Sequence, residues 1–360
     1  MRFSAFTTPT VVNAASLALL SLQAAAQTYT TCNPTTQPNC PADPALGSSV
    51  SIDFTKGASS QFTSFGPITY GPDGASFSIN KSGDSPTITS DWYIMFGKVE
   101  VVMKASPGVG IVSSSVLQSD DLDEIDWEWL GSDPANVQTN YFGKGYTGTY
   151  DRGGYSPIAS SQSAFNTYTI DWNANQIVWS INGQVARTLL ASSANGQFPQ
   201  SPMRVKIGSW SAGDPSNPPG TISWAGGNTN YAAGPYVMQL KSAVITDYST
   251  GKEYTYSGTS GTWQSIMASG GTVNPSTGAA AVPVASAPSV APVSNNQPPA
   301  TLPVGTTPGS SAAQTIVAST VVTSVAPSTI TTLPPGWIVS TSGKVIPPNS
   351  APGRKHLCSL

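Results

Sequence analysis

Asp123-Glu124-Ile125-Asp126-Trp127-Glu128-Trp129-Leu130-Gly131 is the stretch on which the reading of this 360-residue chain turns. From Glu124 on, carboxylates alternate with large apolar side chains. A period of two is a strand signal. On a strand, Glu124, Asp126 and Glu128 share one face, and Ile125, Trp127 and Trp129 take the other. A helix would stack Glu124 on Glu128 but send Asp126 to the far side and expose a tryptophan. Like charges along one strand face repel, and ordinary sheets avoid them. A chain that keeps this cost marks a site. A solvated acidic face and a Ca²⁺ site are the competing readings. Calcium, however, takes its acids from a loop with a glycine turn, and no such loop surrounds these residues. Cα atoms four apart on a strand are roughly 13 Å apart, and side-chain reach and twist shorten the gap between the carboxyls. Retaining glycosidases need about 5–5.5 Å between two carboxyls. Asp126, lying between them, is placed to share a proton and tune both.

The same stretch resembles the E-x-D-x-E signature of family 16 glycoside hydrolases. More narrowly, the chain is similar to the Crh group of fungal cell-wall transglycosylases, which link chitin to β-glucan. The likeness extends to Phe96-Gly97-Lys98-Val99-Glu100, Gln138-Thr139-Asn140-Tyr141-Phe142-Gly143-Lys144-Gly145, Thr149-Tyr150-Asp151-Arg152, Thr167-Tyr168-Thr169-Ile170-Asp171-Trp172, Pro202 to Trp210, and Gly220-Thr221-Ile222-Ser223-Trp224-Ala225-Gly226-Gly227, and it spans about residues 28 to 268. The resemblance implies that Glu124 is the nucleophile, Glu128 the acid/base and Asp126 the assisting residue. It also implies a jelly-roll topology with substrate across a concave face. Related sequences commonly carry His where this chain has Asn166, and Asn cannot hold a proton at neutral pH.

Composition agrees with a secreted all-β protein. Only 9% of residues are charged, and there are 34 glycines and 31 prolines. The net charge of −3 offers nothing to nucleic acid or to an anionic membrane. The single histidine, His356, lies near the end, so the folded part has neither a histidine triad nor a histidine-rich metal site. No residue pattern calls for a cofactor or a metal.

Residues 1–26 read as a signal peptide: Arg2, an apolar stretch around Ala15 to Leu22, then Ala24-Ala25-Ala26 before Gln27. This is too short for a membrane span, and no transmembrane helix is expected in the mature chain. In a secreted chain, Cys32 and Cys40 are the natural disulfide pair, leaving Cys358 over. Asn80-Lys81-Ser82 is the one N-glycosylation sequon with an allowed middle residue.

Residues 27–268 read as the catalytic domain, a β-sandwich of two antiparallel sheets. Short extended runs separated by Gly, Pro, Asn and Asp carry this reading. Val50, Ile52 and Phe54 alternate with polar residues. Phe96 to Lys104 is a long strand expected beside the acid strand. Ile177 to Ile181 ends at Asn182-Gly183, a strong hairpin signal, and Val185-Ala186-Arg187 returns. Pro235 to Tyr248 is extended. No amphipathic helix is expected. Residues 269–360 read as a disordered, O-glycosylated tail rich in Pro, Ser, Thr and Ala; between Gly270 and Pro352 the only charge is Lys344. A GPI signal would follow such a stalk in this group and would need an apolar tail. The last residues, with Arg354, Lys355 and His356, depart from that. Either the protein is released or its true C-terminus differs.

Further site residues follow from alternation. Arg204, Lys206, Gly208 and Trp210 share one strand face, with Val205 and Ile207 on the other. Trp210 is a candidate stacking platform, Gly208 would make room, and Lys206 would donate to hydroxyl or acetamido oxygens. Thr221, alternating with Ile222, would face the same cleft. Gln138 and Asn140 share a face on the strand after the acids. Tyr150 and Arg152 are loop candidates.

The function expected is a retaining transglycosylase, secreted to the cell wall and monomeric, that cleaves chitin and transfers it to β-glucan or chitin. A secreted hydrolase (chitinase or β-glucanase) of the same fold is one alternative, and a lectin-like wall protein another. A lectin need not maintain three repelling acids.

Overall fold

The computed structural model describes residues 30–149 and 151–278, and beyond them the backbone of two short strands, Ile338–Val339 and Val345–Ile346. The expected signal peptide, Tyr150, Cys358 and most of the tail lie outside the described residues. In the unit 283–360 the two short strands pair antiparallel, inside a region expected to be unstructured.

In the unit 1–282, strands follow one another almost without interruption. They are β1 (Asp43–Pro44), β2 (Ser49–Asp53), β3 (Phe62–Phe65), β4 (Ile68–Gly71), β5 (Gly74–Ile79), β6 (Thr87–Ser90), β7 (Gly97–Lys104), β8 (Ile111–Ser119) and β9 (Glu124–Leu130). Then come β10 (Asn136–Phe142), β11 (Gly154–Pro157), β12 (Asn166–Trp172), β13 (Gln176–Ile181), β14 (Gln184–Leu190), β15 (Met203–Ser211), β16 (Tyr236–Asp247), β17 (Glu253–Tyr256) and β18 (Ile266–Ala268). A seven-stranded sheet runs β11-β10-β9-β8-β15-β6-β3. An eight-stranded sheet runs β14-β13-β12-β7-β16-β5-β4, with β2 also paired to β16. Every named strand pair is antiparallel. The fold is the expected jelly-roll sandwich: two sheets face to face over one apolar core.

The core explains the patterns. Val99, Val101 and Met103 of β7, Ile125, Trp127 and Trp129 of β9, and Val205 and Ile207 of β15 all lie in it. The Asn182-Gly183 hairpin forms as expected, with both residues at positive φ, 50° and 79°, as a two-residue hairpin turn that matches strand twist requires. The expected Pro235–Tyr248 strand is β16.

The structure differs from expectation in three places. Strand β7 does not lie beside the acid strand; it belongs to the facing sheet, and β8 takes that position. The serine run Ser113-Ser114-Ser115 conceals β8 in the sequence, because three small polar residues break its apolar alternation. Second, Pro219–Trp224 is a single helical turn, not a strand. Proline at the first helical position starts the turn where the missing N–H costs nothing. Third, the chain past Ala268 is still tied down. Asn274 donates from Nδ2 to the Tyr248 carbonyl at 2.7 Å, and Ala174 N donates to the Pro275 carbonyl at 3.0 Å.

Candidate active site

Strand β9 sits mid-sheet, and its two faces are anchored differently. On the core side Trp127 and Trp129 stack at 6.1 Å, and Tyr168 of β12 meets Trp129 edge-on at 4.6 Å. Trp179 of β13 donates its indole N–H to the backbone carbonyl of Asp126 at 3.1 Å. The facing sheet thus grips the acid strand from behind. Asp123, the first acid of the quoted stretch, is not on the acid face. Fully buried, it accepts from Lys144 Nζ (2.6 Å), Lys144 N (2.9 Å) and Gln200 N (2.7 Å). Lys144 also pairs with Asp121 at 3.0 Å. These bonds lock the β8–β9 turn just ahead of Glu124.

On the other face, Glu124 is 9% and Asp126 1% exposed, while Glu128 is partly exposed. Burial pushes the Asp126 carboxyl well above its usual range, and the charges of Glu124 and Glu128 and a hydrogen bond with Glu124 push it the same way. Burial, then the charge of Glu124, raises Glu128 to about 8. Burial and both neighbouring charges thus favour the protonated form of Asp126, and Glu128 keeps its proton through neutral pH. A group that stays protonated there can serve as a general acid.

Antiparallel register brings two predicted amides alongside. Gln138 lies opposite Glu128, and Asn140 opposite Asp126. Residues directly opposite share a face. Gln138 accepts at Oε1 from the Trp224 indole at 3.0 Å, while Asn140 accepts at Oδ1 from the N–H of Tyr141 at 3.0 Å.

Strand β15 supplies the rest. Lys206 is not the solvated cation that its type suggests; its Nζ donates to Gln118 Oε1 of β8. Burial lowers its pKa, and the charge of Glu124 opposes that shift. Arg204 stacks its guanidinium on Tyr93 at 4.7 Å, and Tyr93 donates to Asp120 at 3.0 Å. Burial first, then the charge of Asp120, raises the nearby Asp43 carboxyl to about 8, with Arg204 acting the other way. The space over Gly208 does not stand open as expected. A Cβ there would sit 2.5 Å from the Pro86 carbonyl oxygen and 2.6 Å from Thr87 Oγ1, so this glycine admits the neighbouring strand.

Trp210 is 8% exposed and packs with Val112, Leu130, Ala212 and Ala225, a cluster separate from the main core. It stacks on Trp224 at 6.2 Å, with 28° between the rings. Thr221 sits in the first turn of the short helix, so its alternation with Ile222 has no meaning for facing the cleft. The residue that this helix brings to Gln138 and Trp210 is Trp224, which strand reasoning passed over. The Pro218-Pro219 pair was the signal that could have found it.

The remaining candidates separate. Arg152 commits its guanidinium to the carbonyls of Tyr141, Tyr146 and Thr149 and lies over the Phe142 ring at 4.6 Å, so it holds a loop together. Tyr150 is outside the described residues. Asn166 donates to the Ser160 and Ala164 carbonyls and accepts from Asn182, tying a loop to the β13–β14 hairpin. Asn80 is exposed, in a turn closed by Asp84. Cys32 and Cys40 form a disulfide. Among the described residues no group of three or more His, Cys, Asp or Glu is placed to hold a metal ion, and no helix is long and apolar enough to cross a membrane.

Comparison with known proteins gives one answer. Residues 48–226 match the model of glycosyl hydrolases family 16. Crh-like protein 4 of Aspergillus fumigatus is 54% identical over 336 residues, covering 91% of this chain and 73% of that protein. Crh-like protein 4 of Botryotinia fuckeliana is 49% identical over 350 residues, covering 96% and 92%. Among solved structures, Crh5 transglycosylase in complex with NAG superposes with a TM-score of 0.64 at 55% identity, covering 66% of this chain and 99% of that one. With relatives about half identical along most of both lengths, and the acids seated on the same kind of sandwich, the chain belongs to glycosyl hydrolase family 16 and, within it, to the Crh-type transglycosylases.

Proposed function

We propose that this chain is a retaining transglycosylase that cleaves chitin and hands the freed end to β-glucan or to another chitin chain. The observation that carries the reading is the acid face of β9: Glu124, Asp126 and Glu128 in line on one strand, Asp126 hydrogen-bonded to Glu124, with Gln138 and Asn140 alongside. In the first step Glu124 attacks the anomeric carbon. The glycosidic C–O bond breaks, and Glu128 gives its proton to the leaving oxygen. The product is a glycosyl ester on Glu124. In the second step a sugar hydroxyl attacks that carbon, Glu128 takes the hydroxyl proton, and Glu124 leaves. Two inversions retain the anomeric configuration. As Glu124 alternates between carboxylate and ester, Asp126 adjusts its hydrogen bond to match. Trp210, Trp224 and Gln138 line the side toward Leu130, and Lys206 with Gln118 the side toward Glu124.

The donor assignment draws on the relative solved with NAG, whose sequence is about half identical. The Cys32–Cys40 disulfide suits an oxidising compartment, in keeping with secretion and a place in the wall. The protein acts as a monomer, and Asn80, exposed in a turn, carries an N-glycan. The deciding experiment incubates the protein with chitin oligomers and a labelled laminari-oligosaccharide. Hybrid products are expected. Shortened chitin with unmodified label would mean that water resolves the intermediate and that the enzyme is a hydrolase.

A further inference from the structure

The register of the seven-stranded sheet arranges its acid-bearing face in transverse rows. One row passes through Glu128. Toward one edge it continues to Gln138 and then Tyr155 of β11. Toward the other it crosses β8, β15 and Thr87 of β6 and ends at Phe65 of β3. Each residue lies directly opposite the next, so all share the face of Glu128. Both ends of the row are aromatic, and both are on edge strands.

These two rings are also the ones left uncovered. Among the described residues, three aromatic side chains are prominently exposed: Phe65 (62%), Tyr155 (65%) and Tyr146 (48%). Tyr146 has the Arg152 guanidinium over its ring at 5.6 Å. Phe65 and Tyr155 stack on no ring or cation among the described residues. A single exposed aromatic residue is ordinary. Two such residues, at opposite edges and in one row with Glu128, need a common cause. An exposed apolar ring on a sheet edge is otherwise an aggregation liability.

Phe65 is held firmly. Phe62, at the other end of β3, meets Phe54 at 6.2 Å and Trp92 at 5.8 Å in the core. After Phe65 the chain turns at Gly66, φ +78°, whose Cα lies so close to Pro86 that a Cβ would come within 2.9 Å of the Pro86 Cα. A fixed backbone makes a platform, not a flap.

We propose that Phe65 and Tyr155 are outer stacking platforms for an extended β-linked polysaccharide lying along this row, which rests on the transglycosylase reading above. Strands are about 4.8 Å apart, so along the sheet Tyr155 is roughly 10 Å and Phe65 roughly 19 Å from Glu128. One strand spacing is close to one sugar of an extended chain. The long arm therefore takes about four sugars before reaching Phe65, and the short arm about two before Tyr155. Flat apolar sugar faces stack on such rings.

The test uses Phe65→Ala, Phe65→Leu, Phe65→Trp and Tyr155→Ala in the full chain. Affinity and kcat/KM are measured for chitin and laminari-oligosaccharides from dimer to octamer. In the wild-type protein both should improve with length until a platform is reached. Phe65→Ala should lower the ratio of long-chain to short-chain values about fivefold. Phe65→Trp should restore it and Phe65→Leu should not, since leucine is apolar but not flat. Tyr155→Ala should remove the gain at shorter lengths. A loss equal at all lengths, or an unaltered ratio, overturns the proposal. So does a wild-type dimer that Phe65→Ala dissociates without changing the ratio, for then the edge would be a contact between copies. Oligomer affinity needs no turnover. A protein that forms no hybrid products yet shows the Phe65-dependent length gain would sink the transglycosylase reading and leave this one standing; hybrid products without the gain would do the reverse.

Discussion

The molecule contains two stacked tryptophan pairs of nearly the same geometry. Trp127 and Trp129 lie 6.1 Å apart at 24°, and Trp210 and Trp224 lie 6.2 Å apart at 28°. The first pair fills the space between the sheets, with Tyr168 against it. The second stands on the acid face in a small cluster of its own and spends an indole N–H on Gln138, opposite Glu128. Ring geometry therefore says nothing about role. The surroundings assign it: one pair is buried between the sheets against Tyr168, and the other lies on the acid face, tied to Gln138.

That contrast can be broken or sharpened by experiment. The largest effect belongs to the acid face itself. Glu124→Gln and Glu128→Gln should each lower transfer at least about a thousandfold, roughly 4 kcal/mol of barrier, while circular dichroism stays that of the wild type. Asp126→Asn should lose a large part of the activity but not all of it, since its role is tuning. Near-normal rates in either glutamine variant would end the assignment. Next comes the core pair: Trp129→Ala should cost about 3–5 kcal/mol in denaturant unfolding. Trp210→Ala and Trp224→Ala should cost clearly less stability and weaken oligosaccharide binding about tenfold, or ~1.4 kcal/mol. If Trp210→Ala unfolded as readily as Trp129→Ala and still bound chitin oligomers normally, the two pairs would be equivalent and the cleft assignment of the second would fail.

A smaller effect is the pH dependence of stability. Glu128 keeps its proton in the folded state up to about 8, whereas an unfolded glutamate loses it near its ordinary value of 4.5. Between those limits the folded state binds more protons, so this group's contribution falls as pH rises and levels off above about 8. Asp126 and Asp43, both raised, act in the same direction. Comparing Glu128→Gln with wild type isolates one group: the variant's stability should decline less steeply over that window. The same group should set a basic limb of kcat/KM near pH 8. A parallel decline in both proteins would mean that Glu128 ionises normally. The smallest change is expected from ending the chain after Gly278, which should leave activity and melting temperature close to those of the full chain. Ending it at Gly270 should cost more, because Asn274 and Pro275 lose their bonds to Tyr248 and Ala174.

The sequence by itself determined what depends on near neighbours. Alternation set the two faces of β9 and β15, because side-chain direction on a strand has a period of two. Asn182-Gly183 specified a hairpin because few other pairs tolerate two positive φ values in succession. The acids were legible for the same local reason: three like charges on one face stand out against the cost of keeping them there. Only the tertiary structure decided which strands lie side by side. Strand β8, hidden by its serines, took the place beside β9, and β7 went to the facing sheet. It also decided that Lys206 is spent on Gln118, Arg204 on Tyr93 and Arg152 on the carbonyls of Tyr141, Tyr146 and Thr149. Trp224, and not Thr221, is what the short helix delivers to Gln138, and Phe65 shares a row with Glu128 although 63 positions separate them in the chain. Pairings of that kind depend on packing over long sequence separations, where alternation is silent and one residue type can serve several partners.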